Sequence, residues 1–396
     1  MIERPEYLND LIRFKDKDLI KIVTGIRRCG KSTLFDLYVD YLLKNGVSKS
    51  QIVRINLEEH EFDNIKDYND LYEYISSKLN KNQNNYVFID EVQKVVDFQK
   101  ACDSLYIKKN VDLYITGSNS KLLSGELATL LSGRYVEIKM LPLSFKEYIS
   151  YVGDTDLEKK YMDYITKSSF PYTLMLNSTK DIKMYLDGLY NTVIVNDIAD
   201  RKDISDIRML KDVIKFMFDN VGNLCSSTSI ANTMTSNGRK ISVPTVEKYI
   251  EALTESFVLY KASRYDIKGK NYLITGSKYY LSDVGLRYYL LGSKLVDEGH
   301  ILENVVYLEL VRRGYDVYIG KNDDNEVDFV AMNDKGEEYY QVSLSVKDKK
   351  TLERELKPLD SINDHNPKYL LTTDYTPYTS HNGIKQINVY EWLLDK

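Results

Sequence analysis

A chain of 396 residues is longer than a single typical core, so two or three domains are expected. Its 54 basic and 59 acidic residues leave a formal charge of −5, which gives no overall reason to expect nucleic-acid binding, although a local basic patch stays open. Cys29, Cys102 and Cys225 are scattered without metal-ligand spacing, and with no signal-peptide pattern they point to a reducing cytoplasm. No apolar run approaches the roughly 20 residues of a membrane span, so no membrane partner is expected.

In chain order, Arg4 to Leu8 opens an amphipathic segment, and Leu19 to Thr24 reads as a buried strand. Gly25-Ile26-Arg27-Arg28-Cys29-Gly30-Lys31-Ser32 follows, matching G-x-x-x-x-G-K-[ST], and Thr33 to Leu42 has helical apolar spacing. Strand, glycine-rich turn and helix N-terminus together make a phosphate cradle. Glycines let the backbone wrap closely, and successive N–H groups then face the anion. Residues 25 to 33, ending at Thr33, are therefore the expected nucleotide-binding set. Lys31 would reach the β/γ-phosphates, and the Ser32 hydroxyl would ligate Mg²⁺. The Arg4 to Leu8 segment is expected near the base. Cys29 sits beside a helix N-terminus and Lys31, an environment that can lower a thiol pKa, and its oxidation or alkylation would then block nucleotide binding; the other reading is a small residue that fits the loop.

Gln51 to Leu57 reads as a second strand and Leu71 to Leu79 as a helix. Tyr86-Val87-Phe88-Ile89-Asp90-Glu91 is an apolar strand ending in two acids: Asp90 to hold Mg²⁺ and Glu91 to orient and polarise the attacking water. Adjacent carboxylates in these roles mark P-loop proteins that insert a strand between the loop strand and this one. Those are mostly ATPases, and no guanine-reading N-K-x-D sequence is evident, so ATP is the expected nucleotide. The strand Val111 to Thr116 ends in Gly117-Ser118-Asn119-Ser120, where Ser118 and Asn119 could sense the γ-phosphate or make an ordinary turn. Arg134, before a last strand Val136 to Met140, could supply transition-state charge in cis or to a neighbouring subunit, or form a structural salt bridge.

The runs G-I-R-R-C-G-K-S-T, F-I-D-E-V-Q, I-T-G-S-N-S-K-L-L, L-S-G-R-Y and L-P-L-S-F-K-E-Y together resemble a family of prokaryotic AAA-like P-loop ATPases. Those proteins carry a C-terminal domain of uncertain role. The resemblance covers nearly the whole chain and implies ATP binding, slow hydrolysis and assembly, hence a homo-oligomer.

Past a polar junction near Gly153, helical material runs toward Phe218, with Arg201 a second candidate for an arginine acting in trans. Ser229 to Met234 and Val243 to Leu253, with Pro244 in the first turn of the second helix, look like a helix-turn-helix. Phe257 to Ala262 and Tyr279 to Leu281 would form its wing. The second helix mixes Glu247, Lys248, Glu251 and Glu255, so only Arg239 and Lys240 just before it favour a DNA contact. A packing or lid role is the other reading.

From His300 onward the order helix, three strands, helix, strand looks like the restriction-endonuclease fold. Active members use a helix Glu, a strand Asp and a following Glu-x-Lys. Glu303 and Asp328 match, but Gln341 and Ser343 occupy the last pattern, and Lys347 substitutes only if the strand continues to it. Nuclease chemistry is not expected. His60, His300, His365 and His381 are isolated.

The expected α/β architecture has three parts. Residues 1–155 form a P-loop ATPase core with a central parallel sheet, residues 156–298 a helical and winged-helix-like connector, and residues 299–396 a degenerate endonuclease-like end. The expected reaction is Mg²⁺-dependent ATP hydrolysis that repositions the later domains. Two alternatives stay open: a DNA-binding ATPase of defence or mobile-element biology, and a non-catalytic ATP switch recruiting a protein partner.

Overall fold

The computed structural model describes the chain except residues 1, 121–130, 132, 154, 293–297, 377–378 and 396, with backbone alone at 192, 193, 201, 274 and 275. Lys121, Leu122, Leu123 and Ser132 of the family runs, and the Arg201 side chain, thus lie outside the described residues. The chain divides into two compact units: residues 1–142 with 255–257, and residues 143–254 with 258–396.

In the first unit, β1 (Ile20–Thr24) and β3 (Asn85–Asp90) are buried at every position, as sheet strands covered on both faces must be. With β2 (Ile52–Asn56), β4 (Val111–Gly117) and β5 (Tyr135–Lys139) they form a parallel five-stranded sheet ordered β2-β3-β4-β1-β5. The expected inserted strand is therefore present: β4 lies between β1 and β3. One face packs Ile22, Ile55, Ile89 and Ile115 with Leu71 and Ile75 of α3 (Tyr68–Lys78) and Cys102 and Leu105 of α4 (Phe98–Tyr106). The other packs Phe88 and Tyr114, stacked at 4.9 Å, with Phe35 and Tyr38 of α2 (Lys31–Lys44). Because all strands run the same way, their C-terminal ends share one edge. That edge carries residues 25–30, Asp90, Glu91 and Ser118.

Within β1, Lys21 breaks the apolar pattern. It is fully buried, its Nζ 2.5 Å from Asp112 Oδ1 and donating to the Lys17 carbonyl at 2.8 Å. Asp112 also accepts from the Asp16 N–H and the Tyr114 hydroxyl. Removing one partner of such a pair strands the other charge in a dry core. Asp112→Ala is expected to cost about 3–5 kcal/mol in urea-unfolding stability; a loss under about 1 kcal/mol, the scale of an exposed pair, would show the pair to be solvated.

The second unit carries an eight-stranded mixed sheet ordered β12-β13-β11-β10-β9-β8-β6-β7. The helices Ser227–Ser236 and Val243–Glu255 precede a hairpin of β6 (Leu259–Asp266) and β7 (Asn271–Leu281), and Cys225 bridges Ser277 on that hairpin. The hairpin expected as a wing does not end there. Its strand β6 pairs in parallel with β8 (Asp316–Asn322), Tyr265 opposite Gly320, so the wing and the C-terminal strands share one sheet. The physical reason is an edge: β6 would otherwise present unpaired N–H and C=O groups. Gly320 permits the approach, since a Cβ there would lie 2.9–3.0 Å from Val327, Val330 and Ile267. The remaining order, the helix Glu298–Arg312, β8, β9 (Asn325–Asn333), β10 (Gly336–Ser343), the helix Lys349–Asp360 and β11 (Lys368–Thr372), is the expected helix-strand alternation. β12 (Thr379–His381) and β13 (Ile384–Asn388) complete the sheet.

Candidate nucleotide site

The loop after β1 turns on two glycines. A Cβ on Gly25 would lie 2.1 Å from the Met140 carbonyl oxygen, so only glycine fits, and Gly30 has a φ of +106° where the chain swings into α2. Lys31, nearly fully buried, folds back over the loop. Its Nζ donates to the Gly25 carbonyl at 3.1 Å and the Ile26 carbonyl at 3.4 Å, and lies 3.5 Å from Glu91 Oε1. Lys31 therefore sits at the mouth of the cradle, opposite the carboxylate expected to handle water. Arg27 pairs with Glu58, Arg28 is exposed, and Thr33 is half-buried on the first turn of α2.

Asp90, on the last residue of β3, is buried. One carboxylate oxygen accepts from the Thr116 hydroxyl, and the other, Oδ2, has no hydrogen-bond partner among the described residues. Burial pushes the Asp90 carboxyl up and the neighbouring Glu91 adds to this, against the Ser32 and Thr116 hydroxyls and the Lys31 charge. A dry carboxylate oxygen left unpaired beside a serine hydroxyl fits a small hard cation. Ser32 and Asp90 are thus a donor set suited to Mg²⁺.

Glu91 has a φ of +52°, a strained conformation for a non-glycine residue. Its N–H donates to Thr116 Oγ1 at 3.0 Å, and its Oε2 accepts from Gln93 Nε2 at 2.5 Å and Ser118 Oγ at 3.0 Å. Burial alone would raise this carboxyl, but the Lys31 charge and the hydrogen bonds from Gln93 and Ser118 outweigh it and hold it below the ordinary range. Asn119 is half-buried just past the end of β4. Two residues of this cluster escaped the sequence reading. Thr116 hid as an ordinary strand residue. Gln93 carried a signal, a polar side chain two residues after the acidic pair.

Arg134 is placed elsewhere. The parallel register sets Tyr135 opposite Ile20 and Lys139 opposite Thr24, so Arg134 precedes β5 at the sheet edge away from the loop. Its guanidinium is 2.5 Å from Asp103 and covers the Tyr106 ring at 5.5 Å. Of the roles left open for it, the structural ion pair is the one formed, and it does not reach the phosphate loop of its own chain.

At Cys29 burial favours the reading of a small residue that fits the loop. The residue is fully buried with its thiol against the Met140 carbonyl at 3.5 Å, and burial pushes its pKa up despite the nearby Lys31 and Arg4 charges. The desolvation outweighs the helix terminus. Maleimide should therefore label Cys29 in the native protein at least about tenfold more slowly than after unfolding, as inert buried thiols do; mass spectrometry of the tryptic peptide reads this out, and equal rates would show the thiol to be open.

In the second unit, Glu303 accepts from Lys278 at 2.9 Å and Tyr280 at 2.6 Å, and Lys278 also pairs with Glu326 at 2.9 Å. Asp328 accepts from the Val342 N–H at 2.8 Å, while Gln341 donates to Glu355 at 3.0 Å. Ser343 lies on the last residue of β10, and Lys347 is largely exposed, 3.9 Å from Asp374. Lys278 was missed; its signal is a lone lysine within a tyrosine-rich strand. Among the described residues no group of three or more His, Cys, Asp or Glu is placed to hold a metal. Nor is any helix long and apolar enough to cross a membrane.

A parallel sheet with this strand order, a G-x-x-x-x-G-K-S loop at its edge and an acidic pair facing Lys31 defines an α/β P-loop protein of the AAA type. Residues 17–149 match the family model described as AAA domain, and residues 158–296 match one described as a domain of unknown function. An uncharacterized protein of Haemophilus influenzae is 42% identical over 400 residues, covering 100% of this chain and 99% of that protein. The uncharacterized protein MJ1544 of Methanocaldococcus jannaschii is 30% identical over 337 residues, covering 80% and 73%. The chain belongs to the family that these two proteins represent, and its residues 17–149 carry an AAA domain. Weaker structural overlaps are with a Walker-type ATPase of Pyrococcus abyssi (15% identity, 73% of this chain and 96% of that one, TM-score 0.44) and the Aeropyrum pernix ORC1 protein in complex with DNA (13%, 78% and 94%, TM-score 0.30).

Proposed function

We propose that the protein is a Mg²⁺-dependent ATPase whose nucleotide state governs the second unit. The observation that carries this reading is the convergence of Lys31, Asp90, Glu91 and Ser118 on one sheet edge, with Lys31 3.5 Å from Glu91 and Asp90 Oδ2 unpartnered among the described residues. Lys31 leaves its carbonyl contacts for the β/γ-phosphates. Ser32 and Asp90 would hold Mg²⁺, which when bound would neutralise charge on the phosphate oxygens. Glu91, released from Lys31 but still held at Oε2 by Gln93 and Ser118, orients the attacking water and draws on its proton. Ser118, which donates to Glu91 Oε2, and Asn119 are assigned to sensing the γ-phosphate.

The three-part division at residues 155/156 and 298/299 belongs to this proposal. The helix pair, its hairpin and the Cys225 bridge support a winged-helix-like connector, and the glutamine-for-acid exchange at position 341 supports an endonuclease-like scaffold without cleavage. We assign the output to a protein partner, with assembly of the chain into a homo-oligomer, rather than to DNA. Of the two cations before the second helix, Arg239 is already 3.0 Å from Asp212. Calorimetric titration tests the reading. ATP should bind saturably with Mg²⁺, more weakly in excess EDTA, and GTP less well than ATP. Equal binding with and without Mg²⁺ removes Ser32 and Asp90 from their role.

A further inference from the structure

Arg4 is a buried cation outside the catalytic cluster. Pro5 starts the first helix (Pro5–Arg13) and makes Arg4 its N-cap, so the backbone is fixed while the side chain turns inward. Only 3% of Arg4 is exposed. Its Nη1 donates to the Cys29 carbonyl at 3.0 Å, and its Nη2 to the carbonyls of Leu141 at 2.7 Å and Pro142 at 3.5 Å. The guanidinium lies 4.8 Å from the centre of the Tyr7 ring, and Tyr7 in turn accepts from the Leu141 N–H at 3.1 Å. An arginine is suited to this task, because its rigid planar fork aims Nη1 at the Cys29 carbonyl and Nη2 at those of Leu141 and Pro142, whereas an ammonium is a compact donor on a flexible stem.

The Cys29 carbonyl is half of a peptide plane. The bond from Cys29 to Gly30 is trans, so the Gly30 N–H points opposite to that carbonyl. With the carbonyl drawn to Arg4 behind the loop, the Gly30 N–H is turned to the concave side. There, backbone N–H groups before a helix N-terminus bind phosphate. We infer that Arg4 is a positioning residue of the phosphate loop: it locks the Cys29–Gly30 peptide in the orientation that presents Gly30 N–H to a nucleoside di- or triphosphate. Through Leu141 and Pro142, the same fork ties that peptide to the segment following β5 in the first unit. The inference rests on the nucleotide reading above and adds to it a residue that touches no substrate.

The test is titration of the full chain with a fluorescent ADP and a fluorescent ATP. Arg4→Ala should weaken both by on the order of tenfold or more, as expected for losing a charge-assisted bond, with AMP binding unaffected. Guanidinium ion at millimolar concentration should restore affinity to Arg4→Ala, and methylammonium should not. Arg4→Lys, which keeps the charge and guards against a misfolded alanine variant, should bind more weakly than wild type at an unchanged melting temperature. Wild-type affinity in Arg4→Ala and Arg4→Lys overturns the inference, as does a loss that guanidinium leaves in place. A wild-type chain that binds neither nucleotide overturns the nucleotide reading, and this inference with it.

Discussion

Lys31→Ala is expected to weaken ATP binding by about 10- to 150-fold, the equivalent of about 1.5–3 kcal/mol for hydrogen bonds to a charged group. The argument is local. Lys31 is almost fully buried, with its ammonium resting on two loop carbonyls and facing Glu91 Oε1 at 3.5 Å. A triphosphate is a stronger partner than neutral carbonyls, so the lysine has a charge to gain by moving and little to lose. In the alanine variant the phosphates meet only backbone N–H groups and a nearby uncompensated Glu91. Equilibrium titration reads the loss directly, and an unchanged Kd would place the phosphates elsewhere.

Glu91→Gln is expected to separate binding from turnover. ATP should still bind within a few-fold of wild type, or more tightly because the charge facing the phosphates is gone. Phosphate release should fall by about 10²- to 10⁴-fold, the range for losing a positioned general base. Gln93 and Ser118 both donate to Glu91 Oε2, and an amide oxygen there still accepts from them. The fold of the site is thereby kept while its basicity is removed. Loss of ATP binding together with turnover would make Glu91 a structural residue.

The sequence made legible what depends on neighbours along the chain. The strand, loop and helix from Ile20 to Lys44 could be read because the motif and both periodicities are local, and the tandem acids at Asp90 and Glu91 marked a strand end. Even the placing of β4 between β1 and β3 followed from that pair. Tertiary properties were not legible. Arg134 could be read as a transition-state arginine or as half of a salt bridge, and only the β1–β5 register, which puts it at the far edge beside Asp103, shows the pair. Cys29 could be read as reactive beside a helix terminus, yet its burial dominates. Not legible either was the bonding of Arg4 to the backbone carbonyls of Cys29, Leu141 and Pro142, which no residue pattern displays. The hairpin of β6 and β7 could be seen, but not that β6 needed β8 to cover its edge.

The most direct test of the account is phosphate release by the purified full chain with ATP and Mg²⁺, measured beside Glu91→Gln. The account predicts turnover that is single-site saturable, abolished by EDTA and lost in the variant. Saturable ATP binding with no release in the wild type would contradict it and leave a nucleotide-operated switch in place of an enzyme.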